Sequence, residues 1–186
     1  RCGELGIPYL VTHLGHHLGD GMAGGRARVI RAINASLAAT SADVMLLLEN
    51  TAGEKNSVGS SLEHIRAIID GISDQERTGV CFDTCHAFAA GYELRTAEGL
   101  DETFGQFDDL IGFSRLKAIH LNDTKGELGS GLDRHEHIGL GGIGEEGFRR
   151  ILHHPVLSAL PFICETPVDE RRDDRENIAA VRRLAA

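Results

Sequence analysis

Asp83 and His86 stand three residues apart at the end of the apolar run Gly79-Val80-Cys81-Phe82, and Asp133 and His135 stand two apart in a later polar stretch. Carboxylates and imidazoles so placed can share a divalent cation. Four other apolar runs stop at a residue of the same kind: 8–12 at His13, 44–48 at Glu49, 116–119 at His120 and 161–164 at Glu165. Taken singly, a polar residue at a strand end is the start of a solvated loop. Five of them need a common cause. The set His13, Glu49, Asp83, His86, His120, Asp133, His135 and Glu165 offers nitrogen and oxygen donors without sulfur, which suits zinc, manganese or iron in a catalytic site. Eight donors are too many for one tetrahedral ion, so two or three metals sharing carboxylates are expected.

Gathering such residues requires strands that end on one side. A continuous apolar run is the pattern of a strand buried on both faces, as in parallel sheets. Helical spacing of apolar residues predicts helices over 26–39, 61–70, 100–111, 145–152 and 172–184, with Ser60 or Ser61 capping the second. Strand and helix therefore alternate five times, which implies a parallel α/β sheet, either open and doubly wound or closed as a barrel. In a barrel every strand C-terminus opens onto the face where active sites are built. A complete (β/α)8 barrel takes about 250 residues, so part of one is expected to be absent from these 186. Residues 14–25, 84–99 and 122–144 read as loops, the first a flexible glycine loop on the ligand face. Its Gly19-Asp20-Gly21-Met22-Ala23-Gly24 matches G-x-G-x-x-G but lies too far from the strand for a dinucleotide fingerprint.

With 41% apolar residues the chain is expected to be one domain over 1–186, without a membrane span or secretory leader, and cytoplasmic. The net charge of -9 argues against a generally basic nucleic-acid surface, although carboxylates that hold cations are counted in it. The four cysteines form no C-x-x-C pair, so neither a disulfide nor a cysteine zinc site is expected. His64, His153 and His154 read as surface residues, and His16, His17 and His137 as groups that support the site or face substrate.

The motifs Thr12-His13-Leu14-Gly15, Leu48-Glu49-Asn50-Thr51-Ala52-Gly53, the run from Phe82-Asp83-Thr84-Cys85-His86 to Tyr92, Ile119-His120-Leu121-Asn122-Asp123, Asp133-Arg134-His135-Glu136-His137-Ile138-Gly139 and Cys164-Glu165-Thr166-Pro167 resemble the endonuclease IV family of apurinic/apyrimidinic endonucleases. That resemblance implies a (β/α)8 TIM barrel of xylose-isomerase-like type, here the last five βα units with the first three absent. It implies three zinc ions, with Mn2+ or Fe2+ as substitutes. His13 and Glu49 would hold the first; Glu49 would bridge to a second held with Asp83, His120 and Glu165; His86, Asp133 and His135 would hold the third. It further implies double-stranded DNA containing abasic sites as partner, a monomer when complete, and hydrolysis 5′ to the abasic site with Glu49 and Glu165 in catalytic roles. Leu14, His16 and Leu140 depart from the family's usual residues beside the site.

Two other readings remain open. A sugar isomerase or epimerase on the same barrel would resemble Glu49, Asp83, His120 and Glu165 alone, and has no use for a further histidine-rich cluster. A non-catalytic domain that binds zinc or DNA is the third. Imidazoles must be neutral to bind metal, so metal loss is expected below about pH 6.

Overall fold

The computed structural model describes residues 1–40 and 43–186. Five strands, β1 (Tyr9–Thr12), β2 (Met45–Glu49), β3 (Thr78–Asp83), β4 (Leu116–His120) and β7 (Phe162–Ile163), form one parallel sheet in the order β1-β2-β3-β4-β7. A two-stranded antiparallel sheet, β5 (Asp123–Thr124) with β6 (His135–Glu136), rises from the loop after β4. Each new strand of the main sheet is added beside the previous one, whereas a doubly wound sheet reverses at a switch point. The sheet is therefore singly wound and curled, an incomplete barrel.

Both faces of the strands are apolar because both are covered. Leu48, Val80, Phe82 and Ile119 join the large core shared with the helices. Leu47, Cys81 and Ala118 point the other way and form a smaller cluster with Tyr9, Val11 and Met45. This double coverage is what the unbroken apolar runs encode. Phe82 sits at the centre of the helix side, its ring centroid 4.9 Å from Phe104 and 6.2 Å from Phe107.

The helices are α1 (Gly21–Ala38), α2 (Leu62–Ile69), α3 (Thr84–Ala90), α4 (Ala97–Leu110), α5 (Gly144–His153) and α6 (Asp174–Leu184). Ser61 caps α2 by accepting from His64 N, and Asp173 with Glu176 forms a reciprocal capping box on α6.

Four expectations need correction. Helix α1 begins at Gly21, so the flexible loop expected over 14–25 is shorter, and Gly25 lies inside the helix where a Cβ would meet His17 and Val58. The polar loop expected after β3 is helix α3, capped by Asp83 and closed by Gly91 in the left-handed region at φ 107°. Strand β7 is only two residues long, although the Pro161 carbonyl beside it still accepts from Ile119 N at 3.0 Å. His154 is not a surface residue: it is half-buried against the Phe104 ring at 5.5 Å, and His64 has its Nδ1 buried without a hydrogen bond.

Candidate metal centre

The registers bring the five run-ending residues to one rim. Asp83 is the direct partner of His120 across β3 and β4, Glu49 ends β2 beside Cys81, and His13 follows Thr12 at the end of β1. Asp133 and His135 arrive from the loop through β6, and His86 is placed in the first turn of α3. All eight residues expected from the sequence meet here. Four groups have donor atoms within 4.8 Å of one another: His13, Glu49 and His86; Glu49, Asp83, His120 and Glu165; His86, Asp133 and His135; and Asp83, Cys85 and His135.

At the centre, His120 Nδ1 faces Glu49 Oε1 at 2.9 Å, Glu165 Oε2 at 3.2 Å and Asp83 Oδ2 at 4.0 Å. One imidazole proton cannot serve three carboxylates. Burial works against the His120 cation, but hydrogen bonding to Cys81, Glu165 and Glu49 outweighs it and pushes the pKa up to about 12. The hydrogen bond with His120 in turn holds Glu165 down to about 2, while burial pushes Asp83 up from the usual carboxylate range. His13 Nε2 approaches the far oxygen of Glu49 at 3.1 Å, so Glu49 touches both neighbours.

Hydrogen bonding on the remote side fixes the ring orientation of the other two histidines. His86 Nδ1 donates to the Asn50 carbonyl at 2.9 Å, and His135 Nδ1 donates to the Glu165 carbonyl at 2.9 Å. A carbonyl can only accept, so in the neutral ring the lone pair belongs to Nε2. Both Nε2 atoms converge on Asp133 Oδ1, at 3.2 Å from His86 and 3.6 Å from His135. His135 Nε2 is buried without a hydrogen-bond partner. Two lone pairs and a carboxylate oxygen aimed at one another are a donor set into which a shared cation would fit. The residues present thus fit divalent metal.

Several residues here were not singled out from the sequence. The Asn50 side chain donates to the Asp83 carbonyl at 2.9 Å and accepts from Asp83 N at 2.7 Å. Asn122 Nδ2 donates to Asp83 Oδ2 at 2.7 Å, and its Oδ1 accepts from Glu165 N at 2.8 Å. The available signal was position, a carboxamide directly after Glu49 and another two residues after His120. Cys85 lies within reach of Asp83 and His135, but burial pushes its thiol up to about 12 and keeps it protonated. Of the remaining histidines, His16 lines the exposed pocket beside His13, His86 and Asp133, whereas His17 accepts from Gly19 N within its own loop.

A curled parallel sheet with carboxylates and imidazoles at its C-terminal rim defines the class: the chain belongs to the xylose isomerase-like TIM barrel family, which matches residues 1–185. It is 67% identical over 186 residues to the probable endonuclease 4 of Methanoculleus marisnigri, covering 100% of this chain and 66% of that relative. The probable endonuclease 4 of Methanosphaerula palustris is 61% identical, and the chain again spans 66% of its length. The crystal structure of endonuclease IV from Thermus thermophilus superposes with a TM-score of 0.82 at 33% identity, covering 98% of this chain and 63% of that one. A D-tagatose 3-epimerase-like protein shares the fold at a TM-score of 0.70 and 21% identity, covering 98% of this chain and 62% of that one. The resemblance read from the motifs is met by these likenesses. Among the described residues no helix is long and apolar enough to cross a membrane.

Proposed function

We propose that this chain carries the metal-binding rim of a zinc-dependent endonuclease that hydrolyses the phosphodiester 5′ to abasic sites in double-stranded DNA. The observation that carries the reading is the meeting of His86 Nε2, His135 Nε2 and Asp133 Oδ1 beside the separate group of Glu49, Asp83, His120 and Glu165. The relatives named endonuclease 4 point the same way. A one-metal sugar isomerase accounts for the second group and leaves the first without a purpose.

His13 and Glu49 would hold one zinc, Glu49, Asp83, His120 and Glu165 a second, and His86, Asp133 and His135 a third, with Mn2+ or Fe2+ as substitutes. When bound, such ions supply an acidified water and offset negative charge on the phosphate and the leaving oxygen. Metal ions that displace the imidazole protons would also offset the four carboxylates on the rim, whose charge opposes a phosphodiester. Glu165 is ionised at neutral pH and half-exposed, placed to accept a hydrogen bond from the incoming water and orient it towards phosphorus. Attack breaks the bond between phosphorus and the 3′ oxygen, leaving a 3′-hydroxyl and a 5′-deoxyribose phosphate. Glu49 fixes the spacing of the first two groups. A nucleotide that has lost its base is cheap to turn out of the helix, which favours abasic sites as substrate.

The test is a duplex with one abasic site, incubated with the metal-loaded chain with and without chelator. Chelator-sensitive nicking with ends that a polymerase extends supports the reading. Metal uptake without nicking supports a non-catalytic domain, and ketose turnover without nicking supports the isomerase.

A further inference from the structure

His137 is fully buried two residues beyond His135, and neither the metal groups nor the proposed chemistry uses it. Its partners are fully determined. Asn177 on α6 accepts from Ile138 N through Oδ1 at 3.2 Å, which turns its Nδ2 towards His137 Nδ1 at 3.0 Å. His137 Nδ1 is then the acceptor, so Nε2 carries the hydrogen and donates to Asp169 Oδ1 at 2.9 Å. Asp169 is held in turn by Arg171, whose guanidinium donates to Asp169 Oδ2 at 2.7 Å and reaches across to Glu136 Oε2 at 2.9 Å. The segment after β7 thereby grips both residues that follow His135.

We infer that His137, held between Asp169 and Asn177, is a positioning residue that sets the Asp133/His135 segment against His86 and so tunes divalent-cation binding by that group. The inference rests on the metal-site reading above and deepens it. Asp133 and His135 come from a long loop tied down by the bond from His135 Nδ1 to the Glu165 carbonyl, by Gly129 N and Gly131 N donating to the Phe88 and Ala89 carbonyls, and by the short pairing of β5 with β6, through Asp123 with Glu136 and Thr124 with His135. Such a two-residue ladder is weak by itself. Residue 137 is the first beyond it, and its buried ring joins the loop to the elements after β7, beside the contacts of Arg171 with Glu136 and of Arg172 with the Ile138 carbonyl. Hydrogen-bonded groups behind metal ligands govern affinity in this way.

The test is titration of the metal-free full chain with Co2+, whose visible absorption reports its ligands. His135→Ala identifies the class of site that involves His135. Asp169→Ala, which leaves His137 Nε2–H without its acceptor, is expected to weaken that class by about 10- to 100-fold. Other classes should be unmoved. His137→Gln should weaken the same class, and Asp169→Asn, which retains an acceptor oxygen of the same shape, should restore it. Unfolding in chelator checks that each variant folds. Wild-type affinity in both Asp169→Ala and His137→Gln overturns the inference alone, as does equal weakening of every class. If the wild-type chain shows no class that His135→Ala removes, the metal-site reading fails and this inference with it.

Discussion

His86 Nε2 lies 3.2 Å from Asp133 Oδ1 while its Nδ1 donates to the Asn50 carbonyl at 2.9 Å. The ring is thus anchored from behind, and the nitrogen that faces the carboxylate has no proton of its own in the neutral form. His135 repeats the arrangement with the Glu165 carbonyl. These two anchors make the group a candidate cation site.

Removing one of its donors should remove one ion and spare the others. His135→Ala is predicted to lower the zinc content of the chain by one equivalent, with the Glu49, Asp83, His120 and Glu165 group still filled, because the two groups share no residue. Metal analysis after dialysis checks this. An unchanged zinc content would count against the assignment.

Asn122→Ala should weaken the fold even without metal. It leaves the buried Asp83 Oδ2 and the Glu165 backbone N–H without their partners at 2.7 and 2.8 Å. A cost of about 2–3 kcal/mol is expected from two such losses in a buried network. Denaturant unfolding in chelator measures it, and a loss well under 1 kcal/mol, roughly the scale of an exposed hydrogen bond, would be inconsistent.

Gly141→Ala should destabilise the loop before α5. An added Cβ would meet the Thr124 carbonyl and come within 2.6 Å of Asp123 Oδ1. Asp123 is fully buried and accepts from the backbone N–H of Gly139, Gly141 and Ile143 at 2.9–3.0 Å, so it has little room to yield. About 2–3 kcal/mol is expected from the overpacking. Thermal unfolding of the variant beside the parent gives the value, and an unshifted midpoint would refute the close approach.

The pH dependence follows from His86. Burial disfavours its charge, but the hydrogen bond with Asp133 and the charges of Asp83, Asp133 and Glu49 outweigh burial and push its pKa up to about 9. A raised imidazole contributes stability that is fully present below its unfolded value of about 6.5 and is lost as pH rises through the folded value. The metal-free chain should therefore lose this contribution between about pH 6.5 and 9. Metal needs the same nitrogen unprotonated, so zinc affinity should rise across that window and binding at pH 7 should release protons. The onset of metal loss thus lies higher than the value near pH 6 that an ordinary imidazole suggests. A pH-stat titration with Zn2+ that records no proton release would contradict it.

The strands were legible because their apolar runs fill both faces and stop abruptly at a polar residue. The rim followed from that pattern once the sheet was parallel. Helix α3 was not legible: it is seven residues long, and its cap is Asp83, a residue that also belongs to the site. The orientation of His86 was equally hidden, since it depends on a carbonyl 36 residues away in sequence. His137 read only as a supporting or substrate-facing histidine; its burial depends on Asn177 of α6, 40 residues further on. Local pattern shows which residues reach the rim, and contacts distant in sequence decide how they point.

The most direct measurement is the zinc content of the full chain after loading and exhaustive dialysis at neutral pH. Glu49 with Asp83, His120 and Glu165, and His86 with Asp133 and His135, form two candidate donor sets with no residue in common, so at least two tightly held ions per chain are the predicted result. A content of one ion or none would contradict it.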